Sequence, residues 1–313
     1  MIEAIAGVCR WMVTICSAVI IGTTLFRYFC LRDLGRDKDH RETRSERILL
    51  LVSAVLLFLF HVGSLAGQYG ALGDRALTLD GWVQFIFGTH AGRVWIWRAA
   101  VAILVVPTAF LARFDSPRHT IAICLLVILI VLYIGLGSWA GHAAGAENLV
   151  AALLLNMSHH IAVALWVGAL PMWMITVHRF SHRHAEYMQS NLFVALMRFS
   201  HLATGLMIVI VVSGTLMAGN YIETEGDLFG TRYGALLLFK LALLCGVLLY
   251  AQRLRLEFLP ALRSEQDVAQ IFPRALRHVG AEMGFAFAMI GCAVCLSQTT
   301  PAAHDTAHWW MPF

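Results

Sequence analysis

Long apolar stretches dominate the chain, and short polar segments separate them. A transmembrane helix needs about 20 mainly apolar residues, because each residue adds about 1.5 Å of length. Eight stretches meet this requirement, at residues 8–30, 47–69, 93–112, 119–140, 149–177, 192–219, 233–252 and 280–298. The pattern predicts an all-α polytopic membrane protein with eight transmembrane helices, numbered here as spans one to eight.

The composition agrees with a chain that lies almost entirely in a lipid bilayer. Hydrophobic residues make up 59% of the 313 positions and charged residues 13%, with a mean hydropathy of +0.72. Soluble domains carry about 25% charged residues, so two soluble domains of this total length are excluded. The net charge of +4 is small, and we expect no nucleic-acid partner.

The distribution of cationic residues predicts the orientation of the spans. Loops one, three, five and seven hold Arg32, Arg36, Lys38, Arg41, Arg44, Arg47, Arg113, Arg118, Arg179, Arg183, Arg253, Arg255, Arg263, Arg274 and Arg277. The opposite side holds Arg10, Arg75, Arg93 and Arg232. Because cytoplasmic loops are enriched in Lys and Arg, both termini are expected on the outer side. Span one ends without a small-residue cleavage site, so we expect it to be retained.

A repeated motif relates the two halves of the chain. Phe-Gly-Thr-His-Ala-Gly at 87–92 is followed six residues later by Arg98, and Phe-Gly-Thr-Arg-Tyr-Gly at 229–234 is followed six residues later by Lys240. A repeat of four helices keeps its orientation, so the halves are predicted to be parallel and related by an axis along the membrane normal. The halves would be residues 1–145 and 146–313. Chance similarity between glycine-rich helix ends is the alternative.

Several imidazoles fall in the outer part of the predicted spans. His61 lies near the outer end of span two, and His159 and His160 lie about ten residues into span five. His90 and His142 lie at the outer ends of spans three and four. Ionisable residues inside a membrane are costly and mark functional sites by default. Each histidine has the alternative role of a hydrogen-bonded polar residue between helices.

The same region holds thioether sulfur. Imidazole binds copper and haem iron, and thioether sulfur suits Cu(I) in particular. Met157 precedes His160 by three residues on one helix face, and Met217 lies near the outer end of span six. The predicted metal ligands are His61, His90, His142, His160, Met157 and Met217. We expect His61 and His160 to share one ion.

Cysteines and the C-terminal tail offer weaker candidates. Cys292 and Cys295 form a Cys-x-x-Cys pair in span eight, and Cys9 and Cys16 share a face of span one. Such thiols pass Cu(I) along in some proteins, but a buried free cysteine is more often a small apolar residue. The tail holds His304, His308, Trp309, Trp310 and Met311. We interpret it first as an interfacial aromatic anchor and second as a segment that captures metal.

Two cations sit at corresponding positions of the repeat. Arg98 and Lys240 each lie about 9 Å inside the outer face. They repel a copper cation, so we interpret them as snorkelling side chains, as partners of acidic residues, or as holders of an anion such as a haem propionate. The last possibility keeps a membrane cytochrome open as an alternative.

The residues resemble those of the CopD copper-resistance membrane proteins of bacteria. The resemblance covers a region at about 195–298 and is strongest over residues 195–262. It rests there on Arg198-Phe199-Ser200, Ser213-Gly214, Thr231 with Tyr233-Gly234, Leu238-Phe239-Lys240 and a basic seventh loop. Gly141-His142-Ala143, His160-Ile161-Ala162 and Leu165-Trp166-Val167-Gly168 match further signatures. Two positions depart from the pattern, Ala169 where a second glycine is usual and His201 where another residue is common.

The resemblance implies an inner-membrane protein of copper homeostasis, and with the orientation expected from the cationic residues both termini would lie in the periplasm. It implies passage of copper from periplasm to cytoplasm and a periplasmic copper-binding partner of the CopC type. We expect no enzymatic activity. The chain shows no Walker motif or other nucleotide site, so we expect any transport to be passive or ion-coupled. The first alternative is a cytochrome with haem b between paired histidines. The second is a subunit that only docks the copper chaperone.

Overall fold

The chain folds into helices joined by short connections. The computed structural model describes residues 2–31, 44–65, 67, 73, 78–113, 120–139, 148–181, 186–222, 224–258, 260–261 and 268–299. Its α-helices are α1 (Ile2–Leu25), α2 (Arg44–Gly63), α3 (Leu79–Gly88), α4 (His90–Leu111), α5 (Thr120–Trp139), α6 (Leu149–Ser181), α7 (Glu186–Gly219), α8 (Glu225–Gly230), α9 (Arg232–Arg253) and α10 (Val268–Leu296). Single π-helical turns, Phe26–Cys30 and Leu254–Phe258, extend α1 and α9.

The prediction of eight transmembrane helices is confirmed. The helices long and apolar enough to cross a membrane are α1, α2, α4, α5, α6, α7, α9 and α10. The chain is therefore an all-α, multi-pass membrane protein. Two helices are longer than predicted, since α6 has 33 residues and α7 has 34 where about 20 suffice.

Two short helices, α3 and α8, precede α4 and α9 and were not predicted. Thr78 caps α3 by accepting a hydrogen bond from the Gly81 amide, and Thr224 caps α8 by accepting one from the Asp227 amide. The Asp227 carboxylate in turn accepts from the Thr224 amide, which completes a capping box. These threonine caps end each connection and begin a helical turn.

The turns into α4 and α9 have the same local geometry. Thr89 and Thr231 cap the two helices by accepting from the amides of Gly92 and Gly234. A Cβ at either glycine would lie 2.1 Å from a carbonyl oxygen of the preceding short helix, so only glycine fits. Both helices have 22 residues. The match supports the predicted duplication, while the parallel arrangement of whole halves stays a prediction.

The helices α1 and α6 cross at the centre of the bundle. A Cβ on Gly168 of α6 would lie 1.7 Å from the carbonyl oxygen of Ala18, and one on Gly22 would lie 2.2 Å from the Gly168 carbonyl carbon. Small residues therefore let the two backbones touch, as is common between membrane helices. This crossing explains why glycine stands at 168.

The apolar core falls into two clusters that meet at this crossing. The first cluster joins α1 to α2, α4 and α5, with Leu57, Leu126 and Ile130 among its fully buried residues. The second joins α1 to α6, α7, α9 and α10 and contains Trp166 and Trp173. One helical bundle thus lies on each side of the crossing between α1 and α6.

The two bundles differ at one interface. Helices α2 and α4 pack against each other, but α7 and α9, their counterparts in the predicted repeat, share no packed interface in the described residues. Much of α7 is correspondingly exposed, including Ile208, Val212 and Leu216. A gap between α7 and α9 follows.

The ends of the helices define two faces of the bundle. Near the start of α1, Cys9 lies beside Gly63 at the end of α2, and Gly7 lies beside Gln298 just after α10. We call this side the N-terminal face. At the opposite face the buried carboxylate of Glu46 lies 3.1 Å from Arg27 and 3.7 Å from Arg179, which ties α1, α2 and α6 together.

Candidate functional site

A buried histidine joins three helices of the first bundle. The His61 ring, on α2, lies with Nε2 3.1 Å from the Trp95 carbonyl oxygen of α4 and Nδ1 2.9 Å from the Tyr133 hydroxyl of α5. A carbonyl only accepts hydrogen bonds, so Nε2 carries the proton and Nδ1 accepts from Tyr133. Both nitrogens of His61 are therefore in use. A metal ion reaches Nδ1 only by displacing the tyrosine hydroxyl.

Neighbouring groups hold this histidine in place. Its ring stacks on Trp95 with centroids 5.2 Å apart, and the Trp95 indole donates to the Ser64 hydroxyl at 3.2 Å. The guanidinium of Arg98 lies over the Tyr133 ring, 4.2 Å from its centroid. Gly137 leaves room for it, since a Cβ there would lie 3.3 Å from the guanidinium carbon. A cation thus adjoins the His61 cluster.

The second bundle holds a histidine with a different hydrogen-bond pattern. Nδ1 of His159, on α6, lies 2.9 Å from the Ser213 hydroxyl oxygen of α7. The Ser213 hydroxyl donates its own proton to the Val209 carbonyl, so it accepts from His159. Nδ1 therefore carries the proton, and the lone pair of the neutral ring is on Nε2. Gly214 makes room, since a Cβ there would lie 3.3 Å from the imidazole Cε1.

His160 lies beside this histidine, and Met157 lies on the opposite side of α6 from it, within the same turn. The two imidazole rings have centroids 6.1 Å apart, and His160 is exposed while His159 is buried. Met157 is on the His160 face of the helix and packs toward Gly135 of α5, where a Cβ would lie 3.3 Å from the sulfur. Two imidazoles and one thioether therefore share about one turn of α6.

Both repeat-related cations lie close to these imidazoles. Lys240 of α9 acts electrostatically on His159 and His160, and Arg98 of α4 acts on His61 and His160. His160 thus lies in the field of two cations, one from each bundle. This field disfavours a bound cation and favours an anion.

The remaining predicted ligands lie near the N-terminal face or outside the residues that the structure describes. His90 is exposed, and its Nε2 lies 3.1 Å from the Trp139 carbonyl oxygen, which leaves the Nδ1 lone pair free. Met217 is half-buried one turn beyond Ser213 on the same helix face. His142, His304 and His308 lie outside the described residues.

The predicted ligands are therefore divided between the bundles. Among the described residues, no three His, Cys, Asp or Glu side chains are arranged to hold a metal ion. His61 is engaged within the first bundle, and His159, His160 and Met157 lie on α6. The sharing of one ion by His61 and His160 stays a prediction.

The cysteine pairs show apolar packing. The Cys292 thiol donates to the Leu236 carbonyl at 3.2 Å and is buried, while Cys295 is exposed. Cys9 and Cys16 are buried free thiols of α1. Since the Cys292 sulfur already has a backbone partner, the Cys-x-x-Cys spacing needs no metal to explain it.

Four residues of these clusters, Trp95, Tyr133, His159 and Ser213, were not predicted as site residues; His159 was noted in the sequence beside His160 but was not among the predicted ligands. Trp95 and Tyr133 give no local signal, because their partner His61 is 34 and 72 residues away in sequence. Ser213 did give a sequence signal, since Ser213-Gly214 was among the motifs that resemble the family. In the structure the Ser213 hydroxyl bonds to the His159 imidazole, and Gly214 leaves room for the same ring.

Comparison with known families identifies the family of the chain. The profile described as copper resistance protein D matches residues 193–296, and the profile for the copper resistance protein D-like N-terminal domain matches residues 1–152. The chain belongs to the CopD family of copper resistance membrane proteins. The resemblance inferred from the sequence motifs is confirmed.

Two curated relatives are similar over most of the chain. One is the copper transport protein CutJ of Bacillus subtilis (strain 168), 27% identical over 233 residues, which covers 71% of this chain and 41% of CutJ. Another is the inner membrane protein YebZ of Escherichia coli (strain K12), 27% identical over 190 residues, 59% of this chain and 61% of YebZ. The chain thus spans about half the length of these relatives. No solved structure matches it significantly.

Proposed function

We propose that this protein moves copper through the bacterial inner membrane, from the periplasm to the cytoplasm. Membership of the copper resistance family and the similarity to a copper transport protein support copper as the cargo. The observation that carries the proposal is the Nε2 lone pair of His159 beside His160, with Met157 on the His160 face of the same helical turn. Two imidazoles and a thioether at this depth are donors that Cu(I) prefers.

The proposed path begins at the N-terminal face, which the cation distribution assigns to the periplasm. Exposed His90 is the first ligand there, with His142 as a further proposed ligand. Copper then reaches His159, His160 and Met157, with Met217 toward the same face. His61 is a later ligand, reached when the Tyr133 hydroxyl leaves its Nδ1. The opposite face delivers the ion to the cytoplasm.

A periplasmic copper-binding protein of the CopC type is the proposed donor. An exposed imidazole at the N-terminal face is suited to accept a copper ion directly from another protein, because the donor protein does not have to enter the membrane. Transfer from copper-loaded CopC-type protein to this chain in detergent tests the step. His90→Ala is expected to slow transfer, whereas His201→Ala, an exposed histidine of α7, is the control.

Copper accumulation in cells tests the direction of movement. Cells that express the protein are expected to hold more cytoplasmic copper than cells that express His160→Ala at equal membrane levels. His201→Ala is expected to behave like the parent, because this histidine lies nearer the opposite face and away from the cluster. Lower cytoplasmic copper in the parent cells would reverse the proposed direction.

One observation favours a second candidate, a haem b cytochrome. Arg98 and Lys240 both act on His160, and carboxylate groups such as haem propionates pair well with such cations. Histidines from facing helices ligate haem in membrane bundles. A Soret band in the purified protein that disappears in His160→Ala would establish this function in place of copper passage.

A further inference from the structure

A cavity of about 500 Å³ occupies the gap between α7 and α9. Its walls are mainly apolar side chains of α6, α7 and α9, such as Phe199, Met207 and Leu248. Two ionisable side chains also line it, Glu282 of α10 and Arg255 of the π-helical turn after α9. In the first bundle the corresponding helices, α2 and α4, pack against each other.

Glu282 is the unusual residue of this cavity. It is 3% exposed and its carboxyl group accepts a hydrogen bond from the indole of Trp166 on α6. It lies fourteen residues before the end of α10 at Leu296, about 21 Å along the helix. A carboxylate this deep in an apolar bundle is costly unless a cation or a proton neutralises it.

No cationic side chain neutralises Glu282 in the described part of the chain. The charged or titratable groups on its own helix and on the elements packed against it, as far as the structure describes their side chains, are Arg274, Arg277, His278, Cys292 and Cys295 on α10, Arg232, Tyr233, Lys240, Cys245, Tyr250 and Arg253 on α9, Arg255 and Glu257 after α9, His159, His160, His178 and Arg179 on α6, Cys9, Arg10 and Cys16 on α1, and Arg27 just after α1. None forms an ion pair with it. His278 lies 3.9 Å from the exposed Glu257 instead, and Arg27 pairs with Glu46.

The carboxyl group is connected to the proposed copper ligands through α6. Trp166 follows His159 by seven residues, which places both on one face of the helix, two turns or about 10.5 Å apart. That face meets α7 at both levels, through Ser213 above and through the cavity wall below. A shift of α7 against α6 therefore changes the surroundings of His159 and Glu282 together.

We propose that Glu282 is a proton-binding site, and that the cavity between α7 and α9 lets its proton exchange with water so that copper passage is coupled to proton movement. The coupling rests on the proposed transport function; the proton site does not. While the apolar cavity holds no water, the neutral carboxyl group keeps its proton beside Trp166. When α7 moves and water enters, the O–H bond breaks, the proton leaves to water and a carboxylate remains, with no change of oxidation state.

Release of the proton compensates the positive charge of a copper ion that passes through the bundle. Copper that enters the apolar bundle brings positive charge, which a carboxylate below the imidazoles compensates. The carboxylate then takes up a proton from water again once the copper has left. One proton thus leaves as one positive charge enters, so the interior of the bundle stays close to neutral.

Infrared spectroscopy of the purified protein tests the proton site without reference to copper. The parent is expected to show the C=O band of a protonated carboxyl group at neutral pH. Glu282→Gln is expected to lose this band, and Glu282→Asp to shift it. Glu257→Gln removes an exposed carboxylate and is the matched control, with the band unchanged. A parent without the band, or a band that survives in Glu282→Gln, would overturn the proton site.

Copper flux into proteoliposomes tests the coupling. A pH gradient is expected to change the parent flux several-fold, and Glu282→Gln to make the flux independent of the gradient, while Glu282→Asp and Glu257→Gln retain the response. A Glu282→Gln variant that responds like the parent would overturn the coupling. A parent that moves no copper would overturn the proposed function, and the infrared band would then decide the proton site by itself.

Discussion

The Nδ1 atom of His159 lies 2.9 Å from the hydroxyl oxygen of Ser213 on the neighbouring helix. Because the serine proton goes to the Val209 carbonyl, this contact fixes the imidazole tautomer and places the ring lone pair on Nε2. Metal-ligating histidines almost always donate their other N–H to such a partner. The pair therefore has the arrangement of a ligand and its supporting group.

Replacing this supporting group tests that role. Ser213→Ala is expected to weaken copper binding by about tenfold or more, the usual effect of losing the partner that orients a ligating imidazole. Copper titration of the purified variant measures the affinity. Ser158→Ala is the control, because this exposed hydroxyl bonds only to the Leu155 carbonyl of its own helix. Equal affinities for the two variants would rule out the supporting role of Ser213.

The hydroxyl of Tyr133 is expected to compete with copper for His61. Tyr133→Phe removes a hydrogen bond worth about 1 kcal/mol, so binding that depends on His61 should tighten by about fivefold. The difference in copper affinity between Tyr133→Phe and the double variant Tyr133→Phe/His61→Ala isolates this contribution. If Tyr133→Phe leaves the affinity unchanged or lowers it, His61 is a structural histidine of the first bundle.

Replacement of Lys240 distinguishes a copper cation from a haem with anionic propionates, because the two ligands carry opposite charges near this side chain. Lys240→Met removes a cation that acts on His159 and His160, so it should tighten the binding of copper and weaken that of a propionate-bearing haem. Metal content and visible absorption of the same sample report both effects. Weaker copper binding in Lys240→Met would contradict a copper cation at these imidazoles.

The α1–α6 crossing predicts a large stability difference between two glycine substitutions. Gly168→Ala places a Cβ 1.7 Å from the Ala18 carbonyl oxygen, so the helices must separate, at a cost of about 1–3 kcal/mol. Gly205→Ala in α7 meets nothing within 4 Å and should be neutral or stabilising. Thermal unfolding in detergent compares the two. Similar midpoints would contradict the close crossing.

Reporter fusions test the orientation on which the path depends. A reporter after Phe313 should be active only if it functions in the periplasm, and one inserted between Asp37 and Arg44 only if it functions in the cytoplasm. The opposite pattern would place the N-terminal face, with His90, on the cytoplasmic side.

The spans could be predicted because each is a continuous apolar stretch, a signal that depends on local sequence alone. The partners of the histidines could not. Tyr133 and Trp95 meet His61 only after three helices pack, and apolar periodicity inside a bilayer does not tell which side faces a neighbour. Glu282 does carry a local signal, because it is an acidic residue inside span eight, but its cavity could not be predicted, since the cavity exists only because α7 and α9 stand apart.

The metal content and visible spectrum of the purified protein test the central claim most directly. The account predicts that the parent and His201→Ala bind copper and show no Soret band, and that the double variant His159→Ala/His160→Ala loses the copper while still inserting into membranes. A Soret band in the parent that vanishes in the double variant, or copper retained by that variant at the level of the parent, would contradict copper passage through these imidazoles.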